Sequence, residues 1–278
     1  MKAKLTAFIF AFCFVVISRG QMRSAMNIQY TGTDTLQRLD VFWNSELKNC
    51  PVLVFVHGGG FLSGNKADYR EMARVIAQQA ITVVLVNYRL SPHVKYPLHH
   101  QDVAAAIAWV DRNIGGYSGS RKKINLMGHS AGGHIVTRLV VNNDFLDRHH
   151  IRTSDIKSVI VASGVFEIQT QEGGATPRYL GMVFGNDPRV WELASCQYHL
   201  ENTRKLPSFL LSWCAEENSL IINESTSFSD ALRRRNHDVQ TYVFPGGDHN
   251  SFQDDLANVD SEFYKRFHEM ISVIRKKR

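Results

Sequence analysis

Covalent staples are scarce in this chain. It holds four cysteines in 278 residues, and Cys13 falls in a leading apolar stretch. Cys50, Cys196 and Cys214 remain, enough for one internal disulfide at most, so a disulfide-built scaffold is excluded. Long hydrophobic runs are missing too. The apolar stretch at residues 5–17 is 13 residues long, short of the roughly 20 that a membrane-spanning helix needs. Charge of one sign is in small excess: the formal net charge is +6, and Lys2, Lys4 and Arg19 supply half of it. No basic patch interleaved with aromatics accompanies that charge, so nucleic acid is not an expected partner. Internal repeats, low-complexity tracts and metal-binding histidine or cysteine spacings are absent as well, and no metal or organic cofactor is implied.

What is present begins with the leader. Lys2 and Lys4 precede the apolar stretch, which is broken by Ser18-Arg19-Gly20. That pattern reads as a signal peptide over residues 1–20, with small residues placed for cleavage after Gly20. The expectation is a secreted protein, or one of the secretory-pathway lumen, with no membrane span left after cleavage. An uncleaved signal anchor is the alternative. Asn223-Glu224-Ser225 then becomes a glycosylation sequon, with Asn223 pointing outward.

Residues 21–278 have the length of one large domain, in a chain 44% hydrophobic. Apolar runs at 52–56, 81–86 and 159–162 alternate with helical stretches at 69–79 and 101–113. The alternation predicts an α/β fold, a mostly parallel sheet with helices on both faces. Between about 165 and 206 the pattern loosens into Gly173-Gly174-Ala175-Thr176-Pro177 and an aromatic-bearing stretch, expected as a lid or pocket insertion. His99-His100 and His149-His150 read as solvated surface residues.

The chemistry is concentrated in Gly128-His129-Ser130-Ala131-Gly132. A strand-like run at 123–127 precedes it and a helix-like run at 133–141 follows it. Strand, sharp turn and helix are the context a G-x-S-x-G nucleophile needs, because the strained turn holds the serine hydroxyl clear of the sheet. The helix start aims N–H groups at any anion forming beside it. A second motif, His57-Gly58-Gly59-Gly60-Phe61, follows the apolar run at 52–56. Its glycines let backbone N–H groups approach a ligand, as oxyanion stabilisation in acyl transfer requires. The expected donors are Gly58, Gly59 and Ala131.

With Asn87-Tyr88-Arg89-Leu90-Ser91-Pro92 between them, these motifs resemble the α/β-hydrolase superfamily. Within it the chain resembles the compact esterases related to hormone-sensitive lipase, and most of all the kynurenine formamidase-like branch. The resemblance runs from about residue 50 to the C-terminus. It implies that the Asn-Tyr-Arg-Leu segment ends a strand and supports the site wall, and that Asp102 is structural.

It also implies a triad in the order serine, acid, histidine. His249 suits the base, since it lies on a loop after the last predicted strand, at 238–244. The acid is ambiguous. The turn after the strand at 207–214 reads Ala215-Glu216-Glu217-Asn218-Ser219-Leu220, with no aspartate where relatives carry one. Register with the formamidase-like pattern favours Glu217. The resemblance of Asn218-Ser219-Leu220 to an Asp-Pro-Leu turn favours Asn218, and counting from Pro207 favours Glu216. Glu217 is the preferred assignment. The expected protein is a serine hydrolase with catalytic Ser130, Glu217 and His249, acting on a small ester or an aryl formamide. The missing aspartate keeps a weakly active or non-catalytic secreted binding protein as the alternative.

Overall fold

The apolar runs become the strands of one eight-stranded sheet. Residues 21–32, 34–169, 176–201, 203 and 205–272 are described by a computed structural model; the expected signal peptide lies outside them. The strands are β1 (Met22–Gln29), β2 (Arg38–Asn44), β3 (Cys50–Val56), β4 (Thr82–Val86), β5 (Gly119–His129), β6 (Ile156–Ala162), β7 (Ser208–Cys214) and β8 (Val239–Phe244). Their spatial order is β1-β2-β4-β3-β5-β6-β7-β8. β2 runs antiparallel to both β1 and β4, and every pairing from β4 through β8 is parallel.

Parallel strands need crossovers, and helices supply them. In chain order these are α1 (Arg70–Ala77), α2 (Leu98–Asn113), α3 (Ala131–Val141), α4 (Asp144–Asp147), α5 (Pro177–Val183), α6 (Pro188–Ala194), α7 (Cys196–Leu200), α8 (Ser219–Arg234), α9 (Phe252–Ala257) and α10 (Glu262–Ser272). They cover both faces of the sheet. Val52, Val54 and Val56 of β3 join a core with Ile107 of α2, Ile135 of α3 and Phe228 of α8. Leu53 and Phe55 join the opposite core with Ile76 of α1, Leu256 of α9 and Phe267 of α10. Burial on both sides explains why this strand reads as an unbroken apolar run rather than an alternating one.

Three features differ from or sharpen the sequence reading. α2 starts at Leu98, so His99 and His100 lie inside it and are fully buried. They are not the solvated residues expected, because their side of the helix packs on Phe61 and Phe145. α8 begins at Ser219, directly after the ambiguous acid turn, and is capped by Asn218, whose Oδ1 accepts the Leu220 N–H at 2.8 Å. The connection between β6 and β7 carries α5, α6 and α7. Among the described residues no helix is long and apolar enough to cross a membrane. Cys50, Cys196 and Cys214 are free and buried.

Candidate active site

The site is assembled at the C-terminal ends of β3, β5, β7 and β8. Ser130 stands between β5 and α3 with φ 52° and ψ −119°, a conformation held only where surrounding structure enforces it. Its N–H donates to the Ala162 carbonyl at 2.9 Å. The turn also needs bare backbone. A Cβ on Gly132 would sit 2.1 Å from the Val56 carbonyl oxygen, so α3 can start this close to β3 only with glycine there.

The glycine loop follows β3. Gly59 has φ +108°, and a Cβ there would lie 2.2 Å from the Ser63 carbonyl oxygen. Its own carbonyl accepts N–H bonds from Leu62 and Ser63, closing the loop into a tight turn. Both ends are anchored. Tyr88 donates its hydroxyl to the His57 carbonyl at 3.1 Å and stacks on the His57 ring. Beyond the loop, Lys66 donates its N–H to Asn87 Oδ1 and its ammonium to buried Asp40 at 2.6 Å. Asp40 also takes the Arg70 guanidinium at 2.9 Å, so it is removal of Asp40 that would strand the buried Lys66 ammonium, at a cost of about 3–5 kcal/mol. Gly58 and Gly59 border a cavity shared with Ser130 and His249, while Ala131 borders a second cavity that Ser130 also lines. Gly60, part of the glycine motif but not among the expected donors, lines both cavities.

His249 lies on the loop after β8 and shares the Ser130 cavity. Its Nδ1 is hydrogen-bonded to Glu217 Oε1. Of the three acid candidates, Glu216 is exposed, Asn218 is occupied as the α8 cap, and Glu217 turns inward with its side chain 3% exposed. The second carboxylate oxygen accepts from Ser163 Oγ at 2.7 Å and from the Cys214 N–H at 3.2 Å. Burial raises the Glu217 carboxyl, but the hydrogen bonds from His249, Ser163 and Cys214 outweigh it and hold the group below its ordinary range. An ionised Glu217 fixes the proton on Nδ1 and leaves Nε2 with a lone pair, which is the tautomer of a general base. Ser163 escaped the sequence reading. Its one local signal is a small residue placed directly after β6, where φ reaches 51°.

The cavity beside Ala131 has a volume of about 240 Å³. Phe61, Val165, Ile168, Tyr179, Leu180 and Leu220 give it apolar walls, and Glu224 and Glu167 border its remaining side. Tyr179 from α5 also donates to the Gly60 carbonyl at 3.2 Å, tying the β6–β7 connection to the glycine loop. Asn223, the sequon residue, is exposed on α8.

Behind these walls lie neutral imidazoles. Burial lowers His57 and His99 to about 4, lowers His129 and His134 to about 3, and holds His100 well below its ordinary range. Neither ring nitrogen of His100 has a hydrogen-bond partner among the described residues. A histidine with a lowered folded pKa keeps its full stabilising contribution above the unfolded value and loses it as pH falls. Each such group removes about 1.4 kcal/mol of stability per pH unit below roughly 6.5, until the fold itself takes up the proton. The melting temperature is therefore expected to fall steeply between pH 6.5 and pH 4 in a calorimetric series. A flat Tm across that window would contradict neutral buried imidazoles.

This strand order, with a serine elbow after β5 and a histidine loop after β8, is the α/β-hydrolase fold. The chain belongs to the BD-FAE family, which it matches over residues 39–232. It is 30% identical over 236 residues to esterase LipC of Mycobacterium tuberculosis, an alignment covering 78% of this chain and 58% of that protein. The chain therefore spans under two thirds of that relative's length. Over 208 residues it is 24% identical to an acetyl esterase of Salmonella paratyphi A, covering 70% of this chain and 63% of the relative. Among solved structures, esterase B from Lactobacillus rhamnosis superposes with a TM-score of 0.76 at 18% identity, covering 90% of this chain and 84% of that one. The hyperthermophilic esterase of Pyrobaculum calidifontis gives 0.73 at 19% identity, covering 91% and 85%.

Proposed function

We propose that this protein is a serine hydrolase that cleaves small carboxylic esters through an acyl-enzyme. The observation that carries the reading is the Glu217-paired His249 sharing one cavity with Ser130. Ser130 Oγ attacks the carbonyl carbon while His249 Nε2 takes its proton. The tetrahedral oxyanion is held by backbone N–H groups of the glycine loop and Ala131. His249 then protonates the departing alcohol, and water repeats the sequence on the acyl-enzyme.

Because the base must reach the leaving group, the alcohol occupies the cavity on the His249 side and the acyl group takes the apolar one. That division favours esters over formamides. A formyl group carries no carbon beyond the carbonyl to fill the apolar cavity, whereas each methylene buried there contributes about 0.8 kcal/mol. The formamide reading rests on the resemblance of the motifs and stands second.

An activity-based fluorophosphonate is the direct test. It should label the wild-type protein and leave Ser130→Ala unlabelled, and a folded wild type that resists the probe would overturn the hydrolase reading. We also propose entry into the secretory pathway, on the strength of the leader and of exposed Asn223. An intact leader in secreted protein, found by N-terminal sequencing, would argue for a different route.

A further inference from the structure

We propose that His129, the residue before the nucleophile, is a positioning residue that ties the His249 loop to Tyr69 and to the glycine loop packed beside its ring. The inference deepens the hydrolase reading and rests on it.

His129 closes β5 and is 3% exposed. Its ring lies between those of His249 and Phe252, with centroids 4.6 Å from each. Nε2 is 2.8 Å from the main-chain carbonyl oxygen of His249, and Nδ1 is 3.3 Å from the Tyr69 hydroxyl. A carbonyl can only accept, so Nε2 carries the proton. The buried ring is neutral, so Nδ1 is a lone pair and Tyr69 must be the donor. The glycine loop packs against the same ring: a Cβ on Gly58 would lie 2.8 Å from His129 Nδ1, and Gly58, Tyr69 and His129 border one cavity.

Every proton position along this chain is therefore fixed by the carbonyl at its end. It runs from the Tyr69 hydroxyl through His129 to the His249 backbone. The loop receives other support farther along, from Cys214 Sγ donating to the Asp248 carbonyl and Ser251 Oγ accepting the Asp248 N–H. His129 alone among these holds the carbonyl of the base itself. One side chain thus relates the three pieces whose spacing sets the reaction: elbow, glycine loop and base.

The test uses the geometry of amides. A glutamine side chain can place an N–H donor where imidazole Nε2 lies, and an asparagine only where Nδ1 lies. His129→Gln should retain most of the wild-type kcat on p-nitrophenyl acetate. His129→Asn should lose up to about 10²-fold, the scale of an ångström-sized misplacement, at nearly unchanged KM. Tyr69→Phe, which removes the donor and keeps the ring, should lose less and add nothing on top of His129→Asn. Hydrogen exchange of residues 246–251 gives a second readout that does not depend on turnover. Exchange should quicken in His129→Asn and stay slow in His129→Gln. Equal kcat and equal exchange in the two variants would overturn the proposal. Failure of the wild type to label with fluorophosphonate, with the exchange difference intact, would instead remove the hydrolase reading and leave the tie standing.

Discussion

Ser130→Ala should lower kcat for p-nitrophenyl acetate by a factor on the order of 10⁶, the scale seen when a triad nucleophile is removed. The residual rate would come from the glycine loop and Ala131, which still bind an oxyanion for attack by water. Stability should hardly change. The Ser130 side chain makes no hydrogen bond among the described residues, and the turn is held through its N–H to the Ala162 carbonyl, which alanine keeps. Alanine also meets no worse backbone strain at φ 52° than serine does. A melt within two or three degrees of wild type, with activity gone, is the expected pair of results. Activity surviving at the wild-type level would place the chemistry elsewhere.

Glu217→Gln should lower kcat by about 10⁴-fold, for a reason visible in the hydrogen bonds. Oε2 of Glu217 accepts from Ser163 Oγ and the Cys214 N–H, so a glutamine will turn its oxygen toward that pair. Its amide then faces His249 Nδ1 as a donor. The imidazole must answer with a lone pair on Nδ1, which moves the proton to Nε2 and removes the base. The neighbouring positions act as controls. Glu216→Gln should be silent, because that side chain is exposed. Asn218→Asp should leave both rate and stability unchanged, since aspartate caps a helix about as well as asparagine. A large gain in Asn218→Asp, with Glu217→Gln silent, would reverse the roles of the two residues.

What was legible from the sequence was what depends on near neighbours. The serine elbow and the glycine loop announce themselves because the strained turn and the close backbone approach demand glycine at fixed offsets. The strand β3 was readable because burial on both faces leaves no polar position to blur it. The acid turn was ambiguous for the converse reason. Glu216, Glu217 and Asn218 are consecutive, and what separates them is the distant geometry of His249 and Ser163. His99 and His100 were misread because nothing local marks a histidine pair as buried. The start of α2 at Leu98 and the ring of Phe61 decide that. His129 and Tyr69, 60 residues apart, meet only in the folded chain.

The cavity beside Ala131 is walled almost wholly by segments that are not strands. Tyr179 and Leu180 belong to α5, Leu220 and Glu224 to α8, and Val165 and Ile168 to the stretch leaving β6. The proposed reacting groups instead sit on the turns that leave the strands: Ser130 directly after β5, Glu217 and His249 in the loops that follow β7 and β8. On the proposed function, chemistry and selectivity are thus written in different parts of the chain. Exchanges along the β6–β7 connection can resize the cavity while the hydrogen-bonded frame around Ser130 stays as it is. Such a protein is a convenient starting point for directed evolution toward new acyl groups.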